Sequence, residues 1–304
     1  MKRVLSGIFA AGVVLTVLLV SGSQKRAETQ PVATVHRDLK IAIEERNPWT
    51  HLRLANTPEV FHFAVVSDRT GGQRAGIFAK AIAQLNLLRP AFVISVGDLI
   101  EGYTENDKEL ADQWQDLESQ VRKLHMPFFY VAGNHDLGNA LQEHHWQQRF
   151  GRRYYHFIYR DVLFLMLNAV DPPRSGGNLG PSQIAYARQV LADNPKVGWT
   201  IVVLHRPLWD EGEGRANGWG EVEKALTGRS YTVFVGHEHS YRKFVRQGMN
   251  YYQLATTGGG SKLRGVPHGE FDHLVWVTMT KNGPVLANLL LDGIVPENLA
   301  WNGS

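Results

Sequence analysis

Five short polar segments punctuate the chain in order: Ser67-Asp68-Arg69-Thr70, Gly97-Asp98-Leu99-Ile100-Glu101, Gly133-Asn134-His135-Asp136, Leu204-His205-Arg206-Pro207 and Gly236-His237-Glu238-His239. Together they offer carboxylates, an amide oxygen and imidazoles. Mn, Fe and Zn take such donors, and no thiolate competes because the chain has no cysteine. Two such ions about 3.5–4 Å apart can clamp a phosphoryl group and generate a hydroxide nucleophile between them. One segment alone says little: His237 and His239 would share one side of a strand with no metal present. Five segments in order make a dinuclear metal site the reading to carry forward.

Each segment follows a short apolar run. The runs are Phe63-Ala64-Val65-Val66, Phe92-Val93-Ile94-Ser95-Val96, Phe128-Phe129-Tyr130-Val131, Ile201-Val202-Val203-Leu204 and Val233-Phe234-Val235. Runs of this kind read as buried strands, so the donors fall at strand ends, where open α/β sheets place their sites. The pattern predicts further strands over 154–159, 162–167, 243–247, 251–255, 273–280 and 285–291. Arg160-Asp161 and Asn282-Gly283 read as hairpin turns. Helices are expected over 75–88, 106–124, 139–150, 181–193 and 221–226. The second shows Leu110, Trp114, Leu117 and Val121 at helical spacing, and the fourth opens on Pro181. Strands that alternate with helices and then run consecutively suggest two packed sheets covered by helices.

With these motifs in this order, the chain resembles the calcineurin-like metallophosphoesterase superfamily from about Val60 to the C-terminus. The family pattern runs D-x-H, GD-x-x, GNH-D/E, H and GH-x-H. The resemblance implies an α/β fold, a four-layer α/β/β/α sandwich of two mixed sheets flanked by helices. It implies two divalent or trivalent transition-metal ions (Mn, Fe or Zn) and a phosphomono- or diester substrate attacked by a metal-bridging hydroxide. By the same resemblance Asp68 and His239 hold the first metal, Asn134, His205 and His237 hold the second, and Asp98 bridges both. His135 acts on the leaving-group oxygen as general acid or stabilises the phosphoryl oxygens.

The first motif departs from the pattern, with Thr70 where the family usually has His. Three readings stay open. In purple acid phosphatases, which also lack that His, the residue three after the bridging Asp binds the first metal; here it is Glu101. In many Ser/Thr phosphatases an acidic residue at this position orients the His of GNH, which would make Glu101 the partner of His135. Third, the first metal is simply held weakly.

The 304 residues are 43% hydrophobic and 20% charged, ordinary globular composition with length for one large core or two small ones. Lys2-Arg3, an apolar stretch over 4–20 and Ser21-Gly22-Ser23 read as a secretory signal over 1–23. An uncleaved membrane anchor is the rival, because the stretch is long for a signal and slightly short of the roughly 20 residues of a span. Either way the domain is expected to be exported, to be periplasmic, secreted or tethered to the outer face of the membrane. Without cysteine the segment is no lipoprotein signal. Residues 24–58, with Pro31, Pro48 and Pro58, read as a linker that then packs on the domain through Trp49; residues 59–304 form that domain. Loss of Lys2 and Arg3 lowers the net charge from +3 to +1. No basic stripe marks a nucleic-acid footprint, and the oligomeric state is not legible.

Other residues are weighed more plainly. Arg69 either grips phosphoryl oxygens bidentately or pairs with a surface acid. Asp136 either holds neighbouring backbone or a ring nitrogen, or caps the following helix. His144-His145, His62 and His273 read as packing or surface residues. Thr256-Thr257-Gly258-Gly259-Gly260-Ser261 reads as a loop that comes close to the metals, and substrate choice is assigned to loops 171–180, 209–219 and 256–268. Two rival functions stand beside the phosphoesterase: a weakened metal- or phosphate-binding module, motivated by Thr70, and a nuclease, disfavoured by the near-neutral mature charge.

Overall fold

The computed structural model describes residues 39–52, 60–171, 176–210, 216–291 and 293–296. The apolar segment over 4–20, read as signal or anchor, lies outside them; no helix among the described residues is long and apolar enough to cross a membrane.

In chain order the elements are β1 (Leu39–Lys40), β2 (Phe61–Val66), α1 (Ile77–Leu88), β3 (Val93–Ser95), α2 (Asp107–Val121), β4 (Phe128–Phe129), α3 (Ala140–Phe150), β5 (Tyr155–Tyr159) and β6 (Val162–Met166). There follow α4 (Pro181–Asp193), β7 (Trp199–Val203), α5 (Trp219–Ala225), β8 (Tyr231–Val235), β9 (Arg242–Arg246), β10 (Met249–Gln253), β11 (His273–Thr280), β12 (Gly283–Leu290) and β13 (Gly293–Pro296). Each expected helix and strand has a counterpart, with ends shifted by a few residues. Strands β1 and β13 were not expected. They are short edge strands, and two to four residues leave too little periodicity to read.

Local chemistry explains the elements. The Asn106 side chain accepts the Glu109 N–H to cap α2, and Asp107 and Glu109 sit in its first turn, where the helix dipole favours acids. Leu110, Trp114, Leu117 and Val121 make its buried face. Pro181 starts α4 at a position that needs no N–H donor. Arg160 and Asp161 both adopt left-handed backbone (φ 47° and 62°) between the paired Tyr159 and Val162, the geometry of a type I′ hairpin. The other expected turn falls one residue earlier than read: Thr280 pairs with Gly283, so Lys281-Asn282 form it.

The strands build two mixed sheets, one of seven strands ordered β1-β5-β6-β7-β8-β10-β9 and one of six ordered β13-β12-β11-β2-β3-β4. In the first, β6, β7, β8 and β10 run parallel; in the second, β2, β3 and β4 do. One face of each sheet meets the other across an aromatic layer that includes Phe63, Phe92, Phe129, Phe157 and Phe164. The outer face of the six-stranded sheet carries α1, α2 and α3, and that of the seven-stranded sheet carries α4 and α5. This is the four-layer α/β/β/α sandwich. Residues 39–52 belong to it: β1 extends the seven-stranded sheet beside β5, and the Trp49 ring lies 6.1 Å from Phe129 and 5.8 Å from Tyr155.

Phe92 occupies the centre of this layer. Its ring meets Phe63, Phe129, Phe157, Tyr159 and Phe164 with centroids 5.3–5.6 Å away, from both sheets. Truncation removes the contacts that lock one sheet on the other and leaves a cavity that rigid neighbours cannot fill. Phe92→Ala is expected to cost about 3–5 kcal/mol, measured as a lower urea midpoint with little change in slope. A cost below about 1 kcal/mol would show that the sheets repack freely.

Candidate active site

All the expected donors lie at one end of the sandwich. The chain leaves β2 into Asp68, β3 into Asp98 and β4 into Asn134 and His135; it leaves β7 into His205 and β8 into His237 and His239. These are the carboxyl ends of parallel strands, which all point the same way in each sheet. Because the two sheets are stacked, donors from both meet over the aromatic core.

Asp98 stands at the centre. It belongs to two donor groups, Asp98–His205–His237 and Asp68–Asp98–His239, whose ligand atoms lie within 4.8 Å of one another in each group. Its Oδ1 accepts the His135 N–H at 3.0 Å, and its Oδ2 is 3.1 Å from His205 Nε2. Asp68 is fully buried. It accepts the Ser67 hydroxyl at 2.5 Å and the His237 N–H at 2.9 Å, and lies 3.4 Å from His239 Nε2.

Three of the four imidazoles are anchored through Nδ1 on a backbone carbonyl, while His237 Nδ1 lies 3.2 Å from His205 Nε2. His205 Nδ1 bonds to the Val96 carbonyl at 2.9 Å, His239 Nδ1 to the Gly260 carbonyl at 2.5 Å and His135 Nδ1 to the Glu101 carbonyl at 2.7 Å. A carbonyl accepts only, so each of these Nδ1 atoms carries a proton, and Nε2 is the atom turned toward the buried carboxylates, 3.1 Å from Asp98 for His205 and 3.4 Å from Asp68 for His239. Asn134 donates Nδ2–H to Tyr103 at 2.9 Å, while its Oδ1 is buried without a partner among the described residues. A buried, unsatisfied amide oxygen on the residue before His135, whose N–H bonds Asp98, is suited to accept a cation. The residues therefore fit the two ions that the donor set implies.

Two glycines permit this crowding. A Cβ on Gly133 would stand 2.2 Å from Asp98 Oδ1, and one on Gly236 would stand 2.2 Å from Asp68 Oδ2. The Gly that precedes the Asn-His and His-x-His motifs thus makes room for the carboxylate of another motif. Asp98, His237 and His239 themselves adopt left-handed backbone, with φ of 54°, 73° and 52°. Such residues are held there by their surroundings and cluster at functional sites.

The buried charges shift one another. Burial pushes the Asp68 and Asp98 carboxyls up, but the hydrogen bond from His239 on Asp68 and the charge of His205 on Asp98 hold both below the usual range. Burial pulls His205 down, and Asp98 outweighs it, leaving His205 at about 9. Burial and then the His205 charge take His237 down to about 3. A bound cation would take over the proton's role beside these groups. Asp136, pushed up to about 7 by burial and the Asp98 charge, accepts N–H groups from Leu99 at 2.9 Å, Ile100 at 3.2 Å and Gly133 at 2.8 Å. It ties the second motif to the third; Asn139, not Asp136, caps α3.

Two expectations are corrected by placement. The Glu101 carboxylate points at neither donor group; it accepts the N–H groups of Gly72 at 3.1 Å and Gln73 at 2.6 Å. Its backbone carbonyl, not its side chain, orients His135. The position three after Asp98 faces the first-motif loop, whose two free N–H groups capture the carboxylate. Arg69 is 1% exposed and spends its guanidinium on the Leu99 carbonyl and Asp116, so it is an internal tie and not a phosphate clamp. Thr70 is fully buried with its hydroxyl 2.7 Å from the Ile100 carbonyl. The glycine-rich loop approaches as read: the N–H groups of Thr257 and Gly259 both bond the Asp68 carbonyl at 3.0 Å. Sequence reasoning missed Ser67 as the support of Asp68 and Tyr103 as the partner of Asn134. Ser67 stood in the first segment with no role read for it; Tyr103 carried no signal beyond an aromatic beside a glycine.

A family model described as calcineurin-like phosphoesterase matches residues 61–241. The serine/threonine-protein phosphatase CPPED1 of Mus musculus is 30% identical over 191 residues, covering 55% of this chain and 60% of that protein. Tartrate-resistant acid phosphatase type 5 of Sus scrofa is 26% identical over 266 residues, 72% of this chain and 77% of that one. A crystal structure of a dimetal phosphatase from Danio rerio shares the fold with a TM-score of 0.61 and 13% identity, covering 80% of this chain and all of that chain. The chain spans about 60% of the length of the CPPED1 protein from mouse that it matches.

The placements separate two carboxylates. Asp98→Asn is expected to lower metal content at both positions and turnover by at least about a hundredfold, the scale for removing catalytic electrostatics. Glu101→Gln should leave both ions bound. Elemental analysis of the two variants checks this; loss of an ion from Glu101→Gln would return it to the ligand set.

Proposed function

The chain belongs to the calcineurin-like phosphoesterase family, and from that premise we propose that it is an exported, metal-dependent hydrolase of phosphomono- or diesters. The observation that carries the reading is the sharing of Asp98 between two donor groups, a buried carboxylate between two sets of cation ligands. Asp68 and His239 would hold one ion and Asn134, His205 and His237 the other. When bound, two such ions neutralise phosphoryl charge and lower the pKa of water to supply the nucleophile.

The chain's own residues do the rest. The Glu101 carbonyl fixes His135 so that Nε2 lies on the side of the donor groups, 4.0 Å from Asp98 Oδ2. In the imidazolium form, Nε2 hands its proton to the leaving-group oxygen as the P–O bond breaks. The substrate's alcohol then departs neutral. Nδ1 keeps its hydrogen bond throughout, so the ring does not turn between proton uptake and release. Export is read from Lys2-Arg3 and the apolar stretch over 4–20.

A second reading, a weakened binding module, draws on Thr70. Its hydroxyl is turned onto backbone carbonyls, so the first donor group is Asp68, Asp98 and His239 without a further imidazole. One experiment separates the readings: strip the protein with chelator, restore Mn, Fe or Zn, and follow nitrophenyl phosphate and its diester. Metal-restored turnover supports the enzyme. Metal bound with turnover at background supports the binding module, and no metal bound at all overturns both.

His135→Ala is expected to leave metal content unchanged and to lower turnover of alkyl phosphoesters by about 10²–10⁴-fold. The loss should be much smaller for nitrophenyl esters, whose leaving group needs little protonation. Equal losses for both leaving groups would remove the proton-donor role.

A further inference from the structure

Tyr103 belongs to none of the five motifs, yet the loop is built around it. Its backbone is left-handed (φ 51°) directly after Gly102 (φ 62°), a conformation disfavoured for a bulky side chain. Both helices behind the loop pin it there. Gln113 of α2 accepts the Gly102 N–H at 2.8 Å, and Gln142 of α3 accepts the Tyr103 N–H at 3.1 Å. Space is reserved for the ring as well, since a Cβ on Gly138 would stand 2.4 Å from Tyr103 Cε1. Burial is not what this arrangement gains, because Tyr103 remains 55% exposed. What it gains is two contacts on adjacent site residues. The hydroxyl accepts Asn134 Nδ2–H at 2.9 Å, and the ring meets the His135 imidazole nearly edge-on, with centroids 4.8 Å apart and planes at 67°.

The amide of Asn134 is the key. Its two ends have the same shape and opposite electrostatics, and only the oxygen can face a cation. With Nδ2 spent on Tyr103, the buried and unpartnered Oδ1 is the end left for one. An amide with no acceptor for Nδ2 would lose that bias.

We propose that Tyr103 is a positioning residue of the site: its hydroxyl holds the Asn134 amide with Oδ1 presented to a cation, and its ring braces the His135 imidazole. The inference rests on the phosphoesterase reading. Partners of this kind orient metal ligands elsewhere, and their loss weakens metal binding by about 10–100-fold.

The test compares wild type, Tyr103→Phe and Tyr103→Leu, all stripped of metal and titrated with Mn²⁺ by calorimetry. Tyr103→Phe keeps the ring and removes the acceptor. It should bind one of two ions at least about tenfold more weakly, with the melting temperature of the metal-free protein unchanged and turnover restored at saturating Mn²⁺. Tyr103→Leu should show the same loss of affinity. At saturating Mn²⁺ it should also turn over alkyl phosphoesters more slowly than Tyr103→Phe, because His135 has lost its brace. Wild-type Mn²⁺ affinity in Tyr103→Phe overturns the amide role, and equal saturated turnover of the two variants overturns the brace. A wild type that binds Mn²⁺ but cleaves no phosphoester defeats the phosphoesterase reading while leaving the affinity comparison intact.

Discussion

Two carboxylates, Asp68 and Asp98, are buried side by side at the end of the sandwich, and the rest of the site answers to that fact. Burying one unpaired charge is costly, and burying two of the same sign in one place costs more. The protein offsets this with imidazoles from the opposite sheet and with backbone N–H groups of His135 and His237 aimed at the carboxylate oxygens. What remains is a set of carboxylates and imidazoles in two groups that could each hold a cation. Burial, and then the Asp98 charge, push the neighbouring Asp136 up toward neutral pH, but three backbone N–H groups anchor it and make it a strut between loops.

Meeting of the sheets is what allows this. Asp68, Asp98, Asn134 and His135 come from the six-stranded sheet, and His205, His237 and His239 from the seven-stranded one. The bond from His205 to the Val96 carbonyl and the bond from the His237 N–H to Asp68 cross from one sheet to the other above the aromatic layer. The core below and the site above are therefore mechanically linked: a shift of one sheet on the other would separate the two halves of the donor set. Rigid aromatic packing is suited to such a platform because its interlocked rings resist sliding.

The unusual first motif is accommodated without a replacement ligand among the residues placed here. Thr70 turns inward to backbone, Glu101 turns back to the first-motif loop, and Arg69 ties the same region to Asp116 on α2. All three side chains that sequence comparison would place near the first ion instead stabilise the junction of the first and second motifs. Family membership does not require every position to keep its role. Here Thr70 stands where the family pattern has an imidazole, and its hydroxyl braces the junction of the two motifs.

Much of this protein was readable before any coordinates. Apolar runs that end in polar clusters marked the strands and their carboxyl ends, because a strand buried on both faces must be continuously apolar and a site must interrupt it. The Pro181 start of α4 and the hairpin at Arg160-Asp161 are local chemistry and were legible for that reason, whereas the caps Asn106 and Asn139 were not read. The candidate donors Asp68, Asp98, Asn134, His205, His237 and His239 were nameable because each sits in a motif behind a strand and the ordered motifs resemble the family pattern. What the sequence could not decide was direction. Whether Glu101 turns to a metal, to His135 or to Gly72 depends on which N–H groups the fold leaves free nearby. Whether Arg69 faces phosphate or Asp116 depends on a helix more than forty residues away. Tyr103 gained its role only when Gln113, Gln142 and Gly138 converged on it. Ligand types follow from residue chemistry and local order, whereas side-chain orientation is set by competition among long-range partners, and only the tertiary structure brings those partners together.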